Sequence, residues 1–227
     1  MRALLAAAAL ALGAARASAF QTSPRSERLC DPSLPAAITV TWDVVRSSDA
    51  AADAALDARV EQAAFEGMNR AAWKDLSPCA GISTAAPSGF TTRVTATARP
   101  AEGGLTYVRV DSWSDGGAHP SGSIQAFYAA KDGRALGAKE LFTPRGLLRV
   151  DALVRADLAR RYPDGECGAD FTTLAKQGSL EFTARSLKIL FSEEEIAPHV
   201  CGFPEVELPL AKVRAALRPG SPFSRKS

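Results

Sequence analysis

The sequence predicts an α+β fold, in which about three helices pack on a largely antiparallel, disulfide-stabilised sheet. Runs in which every second residue is apolar, typical of half-buried strands, occur in groups. Between these groups lie segments whose apolar residues recur every three or four positions, typical of amphipathic helices. Helices that separate groups of strands favour the α+β class, and four cysteines among 227 residues allow two disulfide bonds.

The first predicted strand and helix lie between positions 38 and 72. From 38 to 44, apolar residues alternate with Thr and Asp, which places four apolar side chains on one strand face. After residue 49 the apolar positions recur every four residues, which predicts a helix that packs on the sheet. Its buried stripe comprises Leu56, Val60, Ala64, Met68 and Ala72.

Three strands with short connections follow, and they predict an antiparallel meander. Gly103-Gly104 fits the hairpin turn between the first two, and Lys131-Asp132-Gly133-Arg134 closes the third. In the first strand, Thr95 and Thr97 alternate with apolar residues and face away from the core. The three strands run from Arg93 to Arg99, from Leu105 to Trp113 and from Ser123 to Ala130.

A capped helix, three short strands and a last helix complete the predicted order. Thr143 followed by Pro144 marks a helix start, because threonine caps free backbone amides and proline fits the first turn. Apolar residues at helical spacing continue to Tyr162, and Pro163-Asp164-Gly165 ends the pattern. The remaining elements are strands at 180–183, 187–191 and 203–208, and a helix that starts at Pro209 and stops at Pro219-Gly220.

We predict a single domain preceded by an export signal. Met1-Arg2 gives a positive start, the next ten residues are apolar but too few to span a bilayer, and Ala17-Ser18-Ala19 fits a cleavage site. No later stretch approaches membrane-spanning length, so we expect a periplasmic or secreted protein. The predicted ranges are 1–19 for the signal peptide, 20–35 for an N-terminal extension, 36–220 for the α+β domain (parts 36–106 and 107–218), and 221–227 for a tail.

The charge balance argues against nucleic acid and lipid as partners. The chain has 27 basic and 25 acidic residues, and removal of Arg2 and Arg16 with the signal leaves 25 of each. A neutral chain without a clustered Lys/Arg run has no electrostatic reason to prefer phosphate backbones or anionic membranes. We therefore expect no nucleic-acid binding.

The four cysteines contain no C-x-x-C pair that would indicate a redox or zinc site. An even number of cysteines in an exported chain is typical of disulfide bonds. Of the three possible pairings we favour Cys30 with Cys79 and Cys167 with Cys201, because each bond then stays within one half of the chain. Buried free thiols are the alternative.

Gly116-Gly117-Ala118-His119-Pro120, between two predicted strands, is the most distinctive motif. Its glycines permit positive φ, its proline fixes φ, and His119 is able to bond backbone carbonyls across the turn. We interpret the motif as a sharp corner pinned by His119; the alternative pairs His119 with Asp115 as acid and base at a cleft edge. The strand positions of Trp42, Trp113 and Tyr128 favour packing in the core. Trp113, at a strand end, is the best candidate for partial exposure, and an exposed aromatic side chain beside the motif would offer a platform for a sugar or a protein.

No metal, cofactor or catalytic residue is assigned. A zinc set of His119, His199 and Asp115 would require the two distant histidines to meet, which their spacing does not predict. Glu193-Glu194-Glu195 is interpreted as a solvated turn. The sequence has no nucleophile elbow, phosphate loop, dinucleotide fingerprint or zinc-protease helix. The candidate binding residues are Trp113, Asp115, Gly116, Gly117, His119, Pro120 and His199.

The motif and several later segments together resemble the extracytoplasmic domain of RsiV-type anti-sigma factors, and also the non-catalytic N-terminal portion of a secreted peptidoglycan deacetylase. The resemblance covers about half the chain, from Val108 to Leu217, and implies an α+β domain outside the cytoplasmic membrane. In the anti-sigma factors this domain binds lysozyme. The later segments are Lys131-Asp132-Gly133, Glu140-Leu141-Phe142, Phe182-Thr183, Ile196-Ala197-Pro198, Gly202 and Val206-Glu207-Leu208-Pro209.

Two departures limit what the resemblance implies. The chain shows no transmembrane helix and no cytoplasmic anti-sigma segment, so we do not expect it to relay a signal across a membrane. It also lacks the deacetylase metal site, which needs a histidine pair four residues apart. We therefore expect a non-catalytic envelope binding module for lysozyme or peptidoglycan. The alternatives are a secreted hydrolase that uses His119 and a structural envelope protein without a small ligand.

Overall fold

Two β-sheets and the helices packed on them form the protein, which confirms the α+β class. The structure, a computed structural model, describes residues 20–30, 37–47, 49–66, 77–79, 91–115 and 120–224. The strands are β1 Gln21–Cys30, β2 Ala37–Arg46, β3 Ser77–Pro78, β4 Thr91–Pro100, β5 Thr106–Asp115, β6 Ser121–Ala129, β7 Ala135–Leu136, β8 Ser179–Phe182, β9 Ser186–Leu190 and β10 Glu205–Pro209. The helices are α1 Ala50–Glu66, α2 Ala138–Leu141, α3 Pro144–Arg161 and α4 Leu210–Val213.

The large sheet has seven strands in the order β3-β1-β2-β4-β5-β6-β7. The strands β4, β5 and β6 pair antiparallel, as the meander prediction requires. The pair β2 and β4 is parallel, and α1 and β3 lie between these two strands in the chain, since a parallel pair needs a long crossover connection. A small antiparallel sheet, ordered β10-β9-β8, contains the three short strands predicted near the C-terminus.

The sequence analysis missed β1, which pairs along its whole length with β2. Most of β1 is exposed and only Leu29 and Cys30 at its end are buried. A strand held mainly by backbone hydrogen bonds carries no alternating apolar pattern. Its range falls in the segment predicted as an N-terminal extension.

Two hydrophobic clusters fill the protein. The first lies between α1 and one face of the large sheet, where Leu56 and Val60 pack with the apolar residues of β2 and β4. Trp42 belongs to this cluster, as predicted. Leu56, Val60 and Ala64 of the predicted stripe are buried, whereas Met68 and Ala72 lie outside the described residues.

The second cluster joins α3 and α4 to the small sheet. Helix α3 begins as predicted, with the Thr143 hydroxyl accepting a hydrogen bond from the Gly146 amide at 2.9 Å. Tyr128 of the large sheet enters this cluster, and its hydroxyl accepts a hydrogen bond from the Phe182 amide at 2.6 Å. Burial raises the pKa of Tyr128 to about 12. Phe223, from the segment predicted as a tail, is also buried and stacks on Phe182.

Both predicted disulfide bonds are confirmed. Cys30 bonds Cys79 beside the first cluster, and Cys167 bonds Cys201 beside the second. Each bond therefore stabilises one half of the chain. Among the described helices, none has the length and hydropathy needed to cross a membrane.

Candidate recognition surface

The predicted site residues that the structure describes gather at one end of the β5–β6 hairpin. Trp113 and Asp115 lie at the C-terminal end of β5, and Pro120 directly precedes β6. Gly116, Gly117 and His119 lie outside the described residues, so the proposed corner and its acid–base alternative stay predictions. His199 lies in a short 3₁₀ turn, His199–Cys201.

An exposed aromatic pair dominates this end of the hairpin. Trp113 is 42% exposed and Phe203 is 39% exposed, values far above those of the buried aromatic residues. Both rings lie against Gly122, the residue opposite Trp113 on β6. A Cβ atom at Gly122 would lie 2.5 Å from Phe203 Cζ and 2.9 Å from Trp113 Cε3. Glycine is therefore required for both rings to approach the strand.

Asp115 fixes the orientation of the Trp113 ring. The indole Nε1–H of Trp113 donates a hydrogen bond to Asp115 Oδ1. The Thr91 hydroxyl donates to Asp115 Oδ2 at 3.5 Å from the neighbouring strand. The carboxylate thus acts as a positioning group for an aromatic side chain.

His199 joins the same surface through Glu193. The imidazole Nδ1 lies 2.9 Å from Glu193 Oε1, and Glu193 Oε2 accepts a hydrogen bond from the Gly122 amide at 2.8 Å. The side chain of Glu193 is 8% exposed and that of His199 is 38% exposed, so the carboxylate is shielded from solvent while the imidazole is partly accessible. The structure therefore connects His199 to the strand position beneath the aromatic pair.

The interpretation of the three consecutive glutamates as a solvated turn was wrong for two of them. Glu195 accepts hydrogen bonds from the amides of Gly178 at 2.7 Å and Ser192 at 2.8 Å, and Glu193 bridges to Gly122. Only Glu194 is exposed, and it has a positive φ of 61°. The sharp turn that Glu194 makes lets its two neighbours both point into the protein.

A groove of about 250 Å³ extends from the aromatic pair along the sheet. Its lining includes Arg93 and Thr95 of β4 and Asp111 of β5, together with Trp113 and Phe203. Asp111 accepts hydrogen bonds from the Arg109 guanidinium at 2.8 to 3.0 Å. These bonds raise the pKa of Arg109 above its usual value. The groove thus combines hydrogen-bonding groups with aromatic rings.

The sequence analysis did not identify Phe203, Arg93, Thr95 or Asp111 as site residues. The strand period already placed Thr95 away from the core, so a polar face was predictable there. Phe203 follows Gly202 in an irregular segment, and no periodic pattern connects it to β6. Its role depends on a long-range contact with Gly122.

No group of three or more metal-ligating side chains is placed to hold a metal ion in the part of the chain that the structure describes. The chain matches no protein-family model and no curated protein.

The fold is similar to that of two solved crystal structures. A member of the DUF3298 family from Bacteroides fragilis has a TM-score of 0.61, with 15% identity over 92% of this chain and 98% of its own. A DUF3298 family protein from Pseudomonas aeruginosa PAO1 has a TM-score of 0.54, with 20% identity over 89% of this chain and 94% of its own. Neither likeness bears on lysozyme binding. The chain therefore has, over nearly its whole length, a fold similar to that of DUF3298 family proteins.

Proposed function

We propose that the protein is a non-catalytic binding module of the cell envelope, and that it recognises its ligand with the surface formed by Trp113, Phe203 and the adjoining groove. The observation that carries this proposal is the exposed aromatic pair held against Gly122. Aromatic side chains dominate the energetics of recognition, and rings that are already ordered lose little conformational freedom on binding. The resemblance adds lysozyme or a peptidoglycan fragment as the candidate ligand.

The hydrogen-bonding groups of this surface support a binding role. Asp115 holds the Trp113 indole, and Glu193 bonds both His199 and the Gly122 amide. Carboxylates engaged in this way orient the surface for a ligand. The hydrolase alternative depends on His119, and turnover of any substrate that His119→Ala abolishes without altering the fold would favour that alternative.

An oxidising compartment is compatible with this function. Two disulfide bonds are typical of exported proteins, because reducing systems keep cytosolic thiols free. The export signal predicted at 1–19 would deliver the chain to such a compartment, and cleavage after Ala19 is measurable by mass spectrometry of the exported protein.

A retention assay tests the proposed function. Immobilised, oxidised protein is incubated with lysozyme and, separately, with soluble peptidoglycan fragments. We expect retention of at least one of them, and a loss of about tenfold or more in affinity for Trp113→Ala, as for a hot-spot residue.

Leu148→Ser is the matched control for the assay. Leu148 is 70% exposed on α3 and belongs to neither the aromatic pair nor the groove, so its substitution should leave retention unchanged. If folded wild-type protein retains neither ligand, or if Trp113→Ala and Leu148→Ser behave alike, the proposal is wrong. Constitutive self-association with no ligand retained would instead favour a structural envelope protein.

A further inference from the structure

One face of the large sheet is lined with polar side chains. The apolar residues of β2 and β4 face α1, and the residues that alternate with them point to the opposite side. Among the described helices, α1 packs on the first side, and the second cluster, to which the other three contribute, reaches the opposite side at Tyr107 and Tyr128, away from Trp113. The face carries hydroxyl groups that are half-buried or exposed, from Thr39, Thr41, Thr95 and Thr97.

The strand register arranges this face in two rows that cross the strands. Residues directly opposite one another on paired strands lie on the same face, so each row can be traced through the pairing of β2 with β4 and of β4 with β5. The first row is Thr39, Arg93 and Trp113, and the second row is Thr41, Thr95 and Asp111. On β6 the first row continues to Gly122, which lies beneath the aromatic pair.

The chemistry of the two rows favours an uncharged, hydroxyl-rich ligand. Asp111 is already paired with Arg109, and Arg99 is paired with Glu181. The two other cations of this face, Arg28 and Arg93, are matched in number by the carboxylates of Asp43 and Asp115, so the face carries no net charge. A phosphate or acidic peptide would call for a net positive surface. Threonine is under-represented among the dominant residues of protein interfaces, which disfavours a protein as occupant of the rows. Sugar rings suit this surface, because sugar hydroxyls form hydrogen bonds with the polar side chains of the rows and the C–H faces of the sugar pack on the aromatic rings.

The spacing of the strands selects among sugar polymers. Neighbouring strands lie about 4.8 Å apart, close to the repeat of a β-1,4-linked pyranose chain. Such a chain is flat and extended, whereas an α-1,4-linked chain curves. A β-linked chain laid along a row would place roughly one ring over each strand.

We infer that the two rows and the aromatic pair form an extended site for an uncharged β-linked glycan chain, which lies across β2, β4 and β5 and ends on Trp113 and Phe203. The inference rests on the proposed function, since it uses the same aromatic pair, and it adds the ligand class and the direction of binding. The affinity for such chains should rise with each ring up to about four or five rings and then level off, because the rows span β1 to β6 at most.

Isothermal titration with oligosaccharides of defined length tests this inference. The probes are β-1,4-linked N-acetylglucosamine oligomers of two to six rings, and maltohexaose serves as the α-linked control. We expect the tetramer to bind at least about tenfold more tightly than the dimer, and maltohexaose to bind at least about tenfold more weakly than the β-linked hexamer.

A pair of threonine variants locates the site. Thr95→Val removes a hydroxyl from the second row, and a loss of about fivefold in affinity for the tetramer is expected, equivalent to one net hydrogen bond. Thr92→Val changes the same strand on its opposite face, where Thr92 bonds Ser114 at 3.1 Å, and should leave affinity unchanged. Both variants keep a β-branched side chain suited to a strand, and their melting curves verify folding.

The outcomes separate this inference from the proposed function. Lysozyme retention that depends on Trp113, together with no oligosaccharide binding, would overturn the glycan site and leave the binding module intact. Equal affinities for Thr95→Val and Thr92→Val, or equal affinities for β-linked and α-linked hexamers, would also overturn the site. No retention of lysozyme, peptidoglycan fragments or oligosaccharides would overturn both.

Discussion

Asp53 is a buried carboxylate whose partners are both supplied by Ser47. The Ser47 hydroxyl donates to Asp53 Oδ1 at 2.6 Å and the Ser47 amide donates to Oδ2 at 2.7 Å. These hydrogen bonds, first the one from the hydroxyl, lower the pKa of Asp53 below its usual value. They connect the end of β2 to the first turn of α1.

Replacement of Asp53 by Asn should lower stability in a pH-dependent way. Because the folded-state pKa lies below the unfolded value, the carboxylate contributes stability above about pH 4 and loses that contribution as pH falls through the folded-state pKa. We expect the difference in free energy of unfolding between wild type and Asp53→Asn to be largest at pH 5 to 7 and to shrink below about pH 4. Urea titrations at several pH values measure it, and a difference that stays constant down to pH 2 would contradict the assignment.

Residue-scale predictions from the sequence succeed where a side chain follows the local period. Trp42 and Tyr128 are buried and Trp113 is partly exposed, as their strand positions predict. The approach of Trp113 and Phe203 to the same site was not predictable. Both rings occupy space that is free because Gly122 has no side chain, and this long-range contact leaves no local pattern in the sequence.

At the scale of elements, the edge of β6 is completed by side chains. The amides of Ile124 and Ala126 donate to the hydroxyls of Ser192 at 3.0 Å and Ser179 at 2.7 Å. Ser192 also donates to the Ile124 carbonyl at 3.0 Å, which imitates the two bonds of a paired strand residue. Satisfied edge amides offer no template for pairing with another chain.

Removal of the Ser192 hydroxyl should destabilise the protein more than removal of an exposed one. Ser192→Ala leaves the Ile124 amide and carbonyl without this partner, for an expected loss of about 1–2 kcal/mol in the free energy of unfolding. Ser26→Ala, which removes an exposed hydroxyl bonded to Thr41, should cost less than about 0.5 kcal/mol. Chemical denaturation compares the two, and equal losses would show that the β6 edge does not depend on Ser192.

Element boundaries and types in the second half were largely predictable, whereas two features of the first half were not. Helix α3 and the strands of the small sheet carry strong apolar periods and a clear cap at Thr143. The polar strand β1 has no such signal. The parallel pairing of β2 with β4 depends on a long connection that includes α1, and local patterns do not predict which strands such a connection brings together.

At the scale of the whole molecule, one disulfide bond holds the segment that carries part of the recognition surface. Cys201 lies two residues from His199 and two from Phe203, and its bond to Cys167 restrains this segment. Cys30–Cys79 restrains the opposite half.

Reduction should therefore affect stability and binding differently. Loss of either bond should lower the free energy of unfolding by about 3 kcal/mol and Tm by about 5–10 °C. Ligand affinity should fall clearly for a Cys167→Ser, Cys201→Ser double variant and much less for the Cys30→Ser, Cys79→Ser control. Calorimetry with and without reductant, followed by the retention assay below both Tm values, tests this; equal melting in both conditions would contradict it.

The parallel pairing of β2 with β4 has a kinetic consequence. Ala37 pairs with Thr91, so the chain must bring together residues 54 positions apart before the meander can join the sheet. Once Cys30 and Cys79 are bonded, the covalent path between the same two residues shortens to roughly 20 residues, which reduces the entropic cost of closure by about 0.9 kcal/mol. Oxidative maturation should thus accelerate assembly of the large sheet, in addition to strengthening the finished fold.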